Sequence, residues 1–144
     1  MNDNHPFYTA YRGRFSNLLS WEQLDGLWLA VRRRADAGWY LYAVGEVPPT
    51  RRADAAEVER FVAELDTLLR RDHDEDYCGI VYADAPAEPT FIKIFDPHHL
   101  GSSCGSSKNP PAPGWVMSLI PPAPLEDGRI IPNNRKRWWQ QLWD

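Results

Sequence analysis

Asp96, His98, His99 and Cys104 lie close together in one segment, and no other part of the chain gathers side chains so suited to chemistry. A cysteine thiolate is a strong nucleophile, and a histidine beside it can take its proton. Cys104 stands between Ser103 and Gly105, His98 or His99 would be the base, and Asp96 would orient that histidine in the manner of a catalytic triad. This reading predicts a cysteine-dependent reaction or a redox step. The same residues also suit a metal: His98, His99 and Cys104, with Cys78 or His73 as a further ligand. Against a metal, adjacent histidines on an extended chain point to opposite sides. The chain also has no C-x-x-C or H-x-x-x-H pair to preorganise two ligands. A third reading is an anion cradle at Gly101 to Lys108, GSSCGSSK. Its glycine spacing departs from the phosphate-loop pattern, and prolines follow it where a helix should begin. The plainest reading is structural. Asp96-Pro97 opens a turn, and Pro110, Pro111 and Pro113 stiffen the segment into a strap. A rigid, exposed strap is also a binding surface. The chain contains no G-x-G-x-x-G or H-E-x-x-H motif.

The C-terminal run NNRKRWWQQLWD is the second notable feature. Arg135, Lys136 and Arg137 precede Trp138 and Trp139, and Trp143 follows. Cations beside aromatic rings can bind single-stranded nucleic acid, an anionic membrane surface or a groove on a partner. The tryptophans can equally cover the protein's own sheet. The formal net charge of −4 disfavours nucleic acid. The expectation is therefore docking on a protein partner, or on a second copy in a homodimer. The contacts would be Arg135, Lys136, Arg137, Trp138, Trp139 and Trp143, with Lys108 from the strap. The opposite polarity is also open. The acidic stretch Asp72 to Asp76 could belong to an immunity or inhibitor protein that caps a basic partner.

These segments need a scaffold to position them. Ser20 with Gln23 reads as a capping box, and Trp21, Leu24, Leu27, Trp28 and Val31 recur at helical spacing. Arg32, Arg33 and Arg34 suit that helix's last turn, and Gly38 stops it. Trp39 to Val44 reads as a buried strand. Asp54 with Glu57 begins a second helix, whose stripe runs Val58, Phe61, Val62, Leu65, Leu68 and Leu69. Glu57, Glu64 and Asp66 fall on its solvent face, and His73 to Asp76 reads as a solvated charged turn. Cys78 to Ala83 and Phe91 to Phe95 form an antiparallel pair, with Ile92 and Ile94 on one side and Phe91, Lys93 and Phe95 on the other. Trp115 to Ile120 is a further strand, and residues 133–144 form a Trp-rich helix that Asn134 could cap.

The order is α-β-α-β-β-β-α. It predicts an α+β fold with a small mixed, mainly antiparallel sheet of about four strands and helices packed on it. All of 1–144 forms one domain, with an irregular arm at 1–19 and a long Gly/Ser/Pro loop at 96–114. The arm's aromatics, Phe7, Tyr8, Tyr11 and Phe15, are expected to pack on the domain. At 144 residues, with 43% hydrophobic and 25% charged side chains, the chain can bury a core unaided. Two cysteines are too few for a disulfide framework. No secretory leader or membrane-spanning run is visible, which points to the cytoplasm. With no cofactor motif and no convincing catalytic set, the leading expectation is a non-catalytic accessory or interaction protein of bacterial type. It would bind through the 96–114 loop and the tail.

Overall fold

The structure, a computed structural model, describes residues 5–98, 111–125 and 130–144. In chain order the elements are α1 (Pro6–Tyr11), β1 (Ser16–Leu18), α2 (Trp21–Arg33), β2 (Tyr40–Ala43), α3 (Ala55–Asp72), β3 (Val81–Ala83), β4 (Phe91–Ile94), β5 (Trp115–Ser118) and α4 (Asn133–Leu142).

Local chemistry fixes where α2 and α3 begin. The Ser20 hydroxyl accepts the Gln23 N–H while Gln23 reaches back to the Ser20 N–H. Asp54 and Glu57 repeat the arrangement at the start of α3. Each cap contributes about 1 kcal/mol by satisfying donors that the first helical turn leaves unpaired.

The strands form one five-stranded sheet in the order β1-β3-β4-β5-β2, with every neighbouring pair antiparallel. Alternation along β4 sorts its side chains. Ile92 and Ile94 enter the larger core with Leu24, Leu27, Trp28, Phe61 and Leu65 from α2 and α3. Phe91 turns to the opposite face and packs on Phe7 and Tyr42. That second face is closed by α1 and by the segment before α4. Leu125 donates its N–H to the Tyr42 hydroxyl, and the Tyr8 hydroxyl donates to the Pro124 carbonyl. Both faces of the sheet are therefore covered. On that second face Lys93 sits with its ammonium 4.1 Å from the Tyr11 ring centre and 4.0 Å from that of Phe15.

The α+β class and the helix-on-sheet arrangement agree with the sequence reading. Two expectations need correction. Residues 5–19 are not an irregular arm. Pro6 suits the first helical turn, the His5 ring accepts the Phe7 N–H, and Phe7 is fully buried, so a short helix forms. The same segment supplies β1, which makes the fifth strand by pairing with β3. Helices and strands this short carry no readable period. The second correction is the cap of α4, where Pro132 takes the N-cap position and no side chain, Asn134 included, makes the capping bond.

Candidate functional site

The end of β4 and the start of α4 meet at a buried ion pair. Arg135 Nε donates to Asp96 Oδ2 at 2.9 Å, and its Nη2 donates to Asp96 Oδ1 at 3.0 Å. The same Nη2 donates to Asp72 Oδ2 at 2.9 Å, at the end of α3. The Arg135 side chain is 8% exposed and that of Asp96 4%, whereas Asp72 is 29% exposed. Asp96 Oδ1 also accepts the His98 N–H. Burial pulls the Arg135 pKa down, but Asp96 and Asp72 outweigh it and hold it above the ordinary value. Arg71, followed by Arg135, holds the Asp72 carboxyl below the usual range against its partial burial.

The clamp makes Arg135 an internal tie, buried against Asp96. The Asp96 carboxylate accepts from both Arg135 nitrogens and from the His98 backbone N–H. Asp72 is exposed together with Asp74, Glu75 and Asp76, and its carboxylate is paired with Arg71 and Arg135. The clamp also joins the first residue of the 96–114 segment to the C-terminal helix. His99, Cys104 and Lys108 lie outside the described residues, as do the Gly101–Lys108 cradle and most of the strap. His98 is exposed just after Asp96.

The three tail tryptophans are half-buried against the protein's own core. Trp138 meets Trp115 edge-to-face at 5.5 Å, Trp139 meets Phe61 at 6.0 Å, and Trp143 meets Trp139 at 5.3 Å. Leu142 is buried beneath them. Lys136 and Arg137 remain exposed on the outer side of α4.

His73 and Cys78, weighed as extra metal ligands, serve the core. His73 Nε2 lies 2.9 Å from the Cys78 carbonyl oxygen, and the ring is wedged edge-on between Trp21 and Tyr77. His73 is therefore buried and does not belong to a solvated turn. Burial pushes the Cys78 thiol pKa up, which favours the unreactive thiol over the thiolate. Among the described residues no three His, Cys, Asp or Glu side chains gather as a metal site. The solvent-face carboxylates of α3 have structural partners: Glu57 bonds Arg51, and Asp66 bonds Trp28 and Arg70.

Sequence reasoning missed a groove of about 300 Å³ beside β2, one of the two edge strands. Leu41 and Ala43 form its floor, residues 46–53 arch over it, and Trp139 and Trp143 wall it. Gly45, at φ +103°, makes the bend that starts the arch, and a Cβ there would come within 2.9 Å of Ile131. Only the packing of the arch against α4 creates the groove, although the inward spacing Arg135, Trp138, Trp139, Leu142 was readable as one helix stripe.

Among the described residues no helix is long and apolar enough to cross a membrane. Compared with known proteins, the chain matches no family model, no curated protein and no solved structure. Its function is therefore argued from its own residues.

Proposed function

We propose that this is a non-catalytic accessory protein of the cytoplasm that binds a protein partner through the surface shared by α4 and the 96–114 segment. The observation that carries the reading is the Asp96–Arg135 pair. It fastens Asp96, the first residue of that segment, to the helix. Lys136 and Arg137 are exposed on that surface, and the half-buried tryptophans beside them offer aromatic edges. Aromatic side chains and arginine are the groups that most often dominate binding energy. Exposed cations would steer an acidic partner and fix its orientation.

The test is capture of the partner from source-cell lysate by the full chain, compared with a K136E/R137E variant. Both side chains are exposed, so the double reversal should change stability by no more than about 0.5 kcal/mol per site. Capture should fall sharply and should weaken with salt in the unmodified protein. Capture unaffected by the reversal would refute the assignment. A parallel variant, Asp74→Asn/Glu75→Gln/Asp76→Asn, examines the opposite polarity. Loss of capture there alone would move the docking face to the acidic turn and support the inhibitor reading.

A further inference from the structure

We infer that the groove beside β2 is a binding site for a planar nitrogen heterocycle with an amino group next to an acceptor ring nitrogen, the chemistry of an adenine base. The inference stands apart from the docking proposal, because it uses the inner wall of α4 and not its exposed cations.

The argument begins with the hydrogen-bond phase of β2. Val44 donates its N–H to the Gly114 carbonyl, and Val44 continues the register in which Tyr42 faces Val116 and Tyr40 faces Ser118. Antiparallel ladders alternate, so Tyr40 and Tyr42 direct their backbone groups to β5 while Leu41 and Ala43 direct theirs outward. Two flanking bonds confirm that direction. The Ala43 carbonyl accepts the Glu46 N–H at 3.0 Å, and the Trp39 carbonyl accepts the Ala53 N–H at 2.7 Å. Between those two bonds lie the Leu41 N–H, the Leu41 carbonyl and the Ala43 N–H. Among the described residues, none of the three has a hydrogen-bond partner on its outward side. They read donor, acceptor, donor along the floor of the groove.

Two occupants could answer that pattern. An extended peptide adding to the sheet is disfavoured, because the arch is fastened to β2 at both ends and blocks a passing strand. A compact planar ring is not blocked. Its amino group would donate to the Leu41 carbonyl, and the adjacent ring nitrogen would accept from the Ala43 N–H. The walls suit such a ring. Trp139 and Trp143 stand at 82° to each other, and Leu41, Val47, Pro49 and Ala53 supply apolar surface. A volume of about 300 Å³ is at the lower end of small-molecule sites. Arg51 closes on Glu57 at 2.7 Å, so the groove's one lining cation is already paired and a neutral ring is favoured over an anion.

The experiment titrates the full chain with adenosine and follows heat and tryptophan fluorescence. N6,N6-dimethyladenosine is the comparison, because it keeps the acceptor ring nitrogen but has no amino hydrogen to donate. Adenosine should bind at least about tenfold more tightly, since the dimethyl compound leaves the Leu41 carbonyl without a donor. Ala43→Pro removes one donor while leaving the β5 ladder alone, because that N–H faces away from it. Trp143→Ala removes a wall. Both variants, checked for native circular dichroism, should lose adenosine binding. An oligodeoxyadenylate in the same assay separates the sources of the base. Tighter binding than adenosine assigns the base to a strand, and weaker binding assigns a free nucleoside. Equal binding of adenosine and N6,N6-dimethyladenosine, tighter binding of uridine, whose acceptor, donor, acceptor edge answers all three floor groups, or no binding up to about 1 mM, overturns the inference. So does a result in which adenosine fails while Ala43→Pro abolishes partner capture, because the edge would then hold a partner's chain. K136E/R137E should leave adenosine binding intact, so the docking proposal and this one fail separately.

Discussion

Replacing Arg135 by methionine keeps the length and most of the apolar stem of the side chain but leaves the Asp96 carboxylate buried without its cation. The structure sets the size of the effect. Asp96 is 4% exposed and receives two of its hydrogen bonds from Arg135, keeping among the described residues only the His98 N–H when these are gone. Breaking a buried pair from one side costs about 3–5 kcal/mol, because the remaining charge has lost both water and partner. For a domain of this size that corresponds to a fall in Tm of roughly 10 °C. Removing Asp72 is a contrast within the same cluster. Its side chain is 29% exposed, and the loss should be about 1 kcal/mol or less. Urea unfolding of Arg135→Met, Asp96→Asn and the double variant gives a closed cycle. The double variant should be less destabilised than the sum of the singles by about 2 kcal/mol, because it leaves no orphaned charge. Additive costs, or an Arg135→Met loss below about 1 kcal/mol, would show that the pair does not hold α4 to the sheet.

Three further outcomes follow from the same physics. In an R71A background, Asp72 loses the first cause of its lowered pKa, so the acid limb of stability should flatten. The sign follows from the depressed folded pKa: its contribution is complete above the ordinary value of 3.8 and is lost as pH falls through the lower one. Lys93 has its pKa lowered by burial from 10.5, so the unfolded chain holds that proton more tightly. Stability should rise with pH between the lowered value and 10.5, and Lys93→Met should abolish that rise in pH-dependent urea unfolding. Cys78 is fully buried with a raised thiol pKa. In a Cys104→Ser variant, a thiol reagent should label Cys78 only as fast as the protein unfolds, and rapid native labelling would contradict the burial.

The sequence reading succeeded where a single physical signal dominated. The capping boxes at Ser20 and Asp54 and the six-residue stripe of α3 each decide their element locally, and tertiary packing only confirms them. β4 was legible for the same reason, because Ile92 and Ile94 alternate with Phe91 and Lys93. It failed where the deciding interaction lies far along the chain. Nothing near Ser16 announces a strand, since β1 exists through pairing with Val81 to Ala83. Nothing near Asp96 announces that its partner is Arg135, 39 residues away.

The run Arg135, Lys136, Arg137 shows how composition and phase differ as guides. Composition makes three equivalent cations beside aromatic rings, and all three read as a docking patch. Helical phase separates them, because Arg135 heads the inward stripe that continues with Trp138, Trp139 and Leu142, while Lys136 and Arg137 fall outside it. A cation at the head of an apolar stripe demands a buried counter-charge. The buried carboxylate that meets this demand is Asp96, the residue also suited to orienting a histidine. The fold thus spends its best-placed acid on fastening the tail. That tail in turn walls the groove beside β2 and presents Lys136 and Arg137 outward, so both proposals depend on the same buried pair.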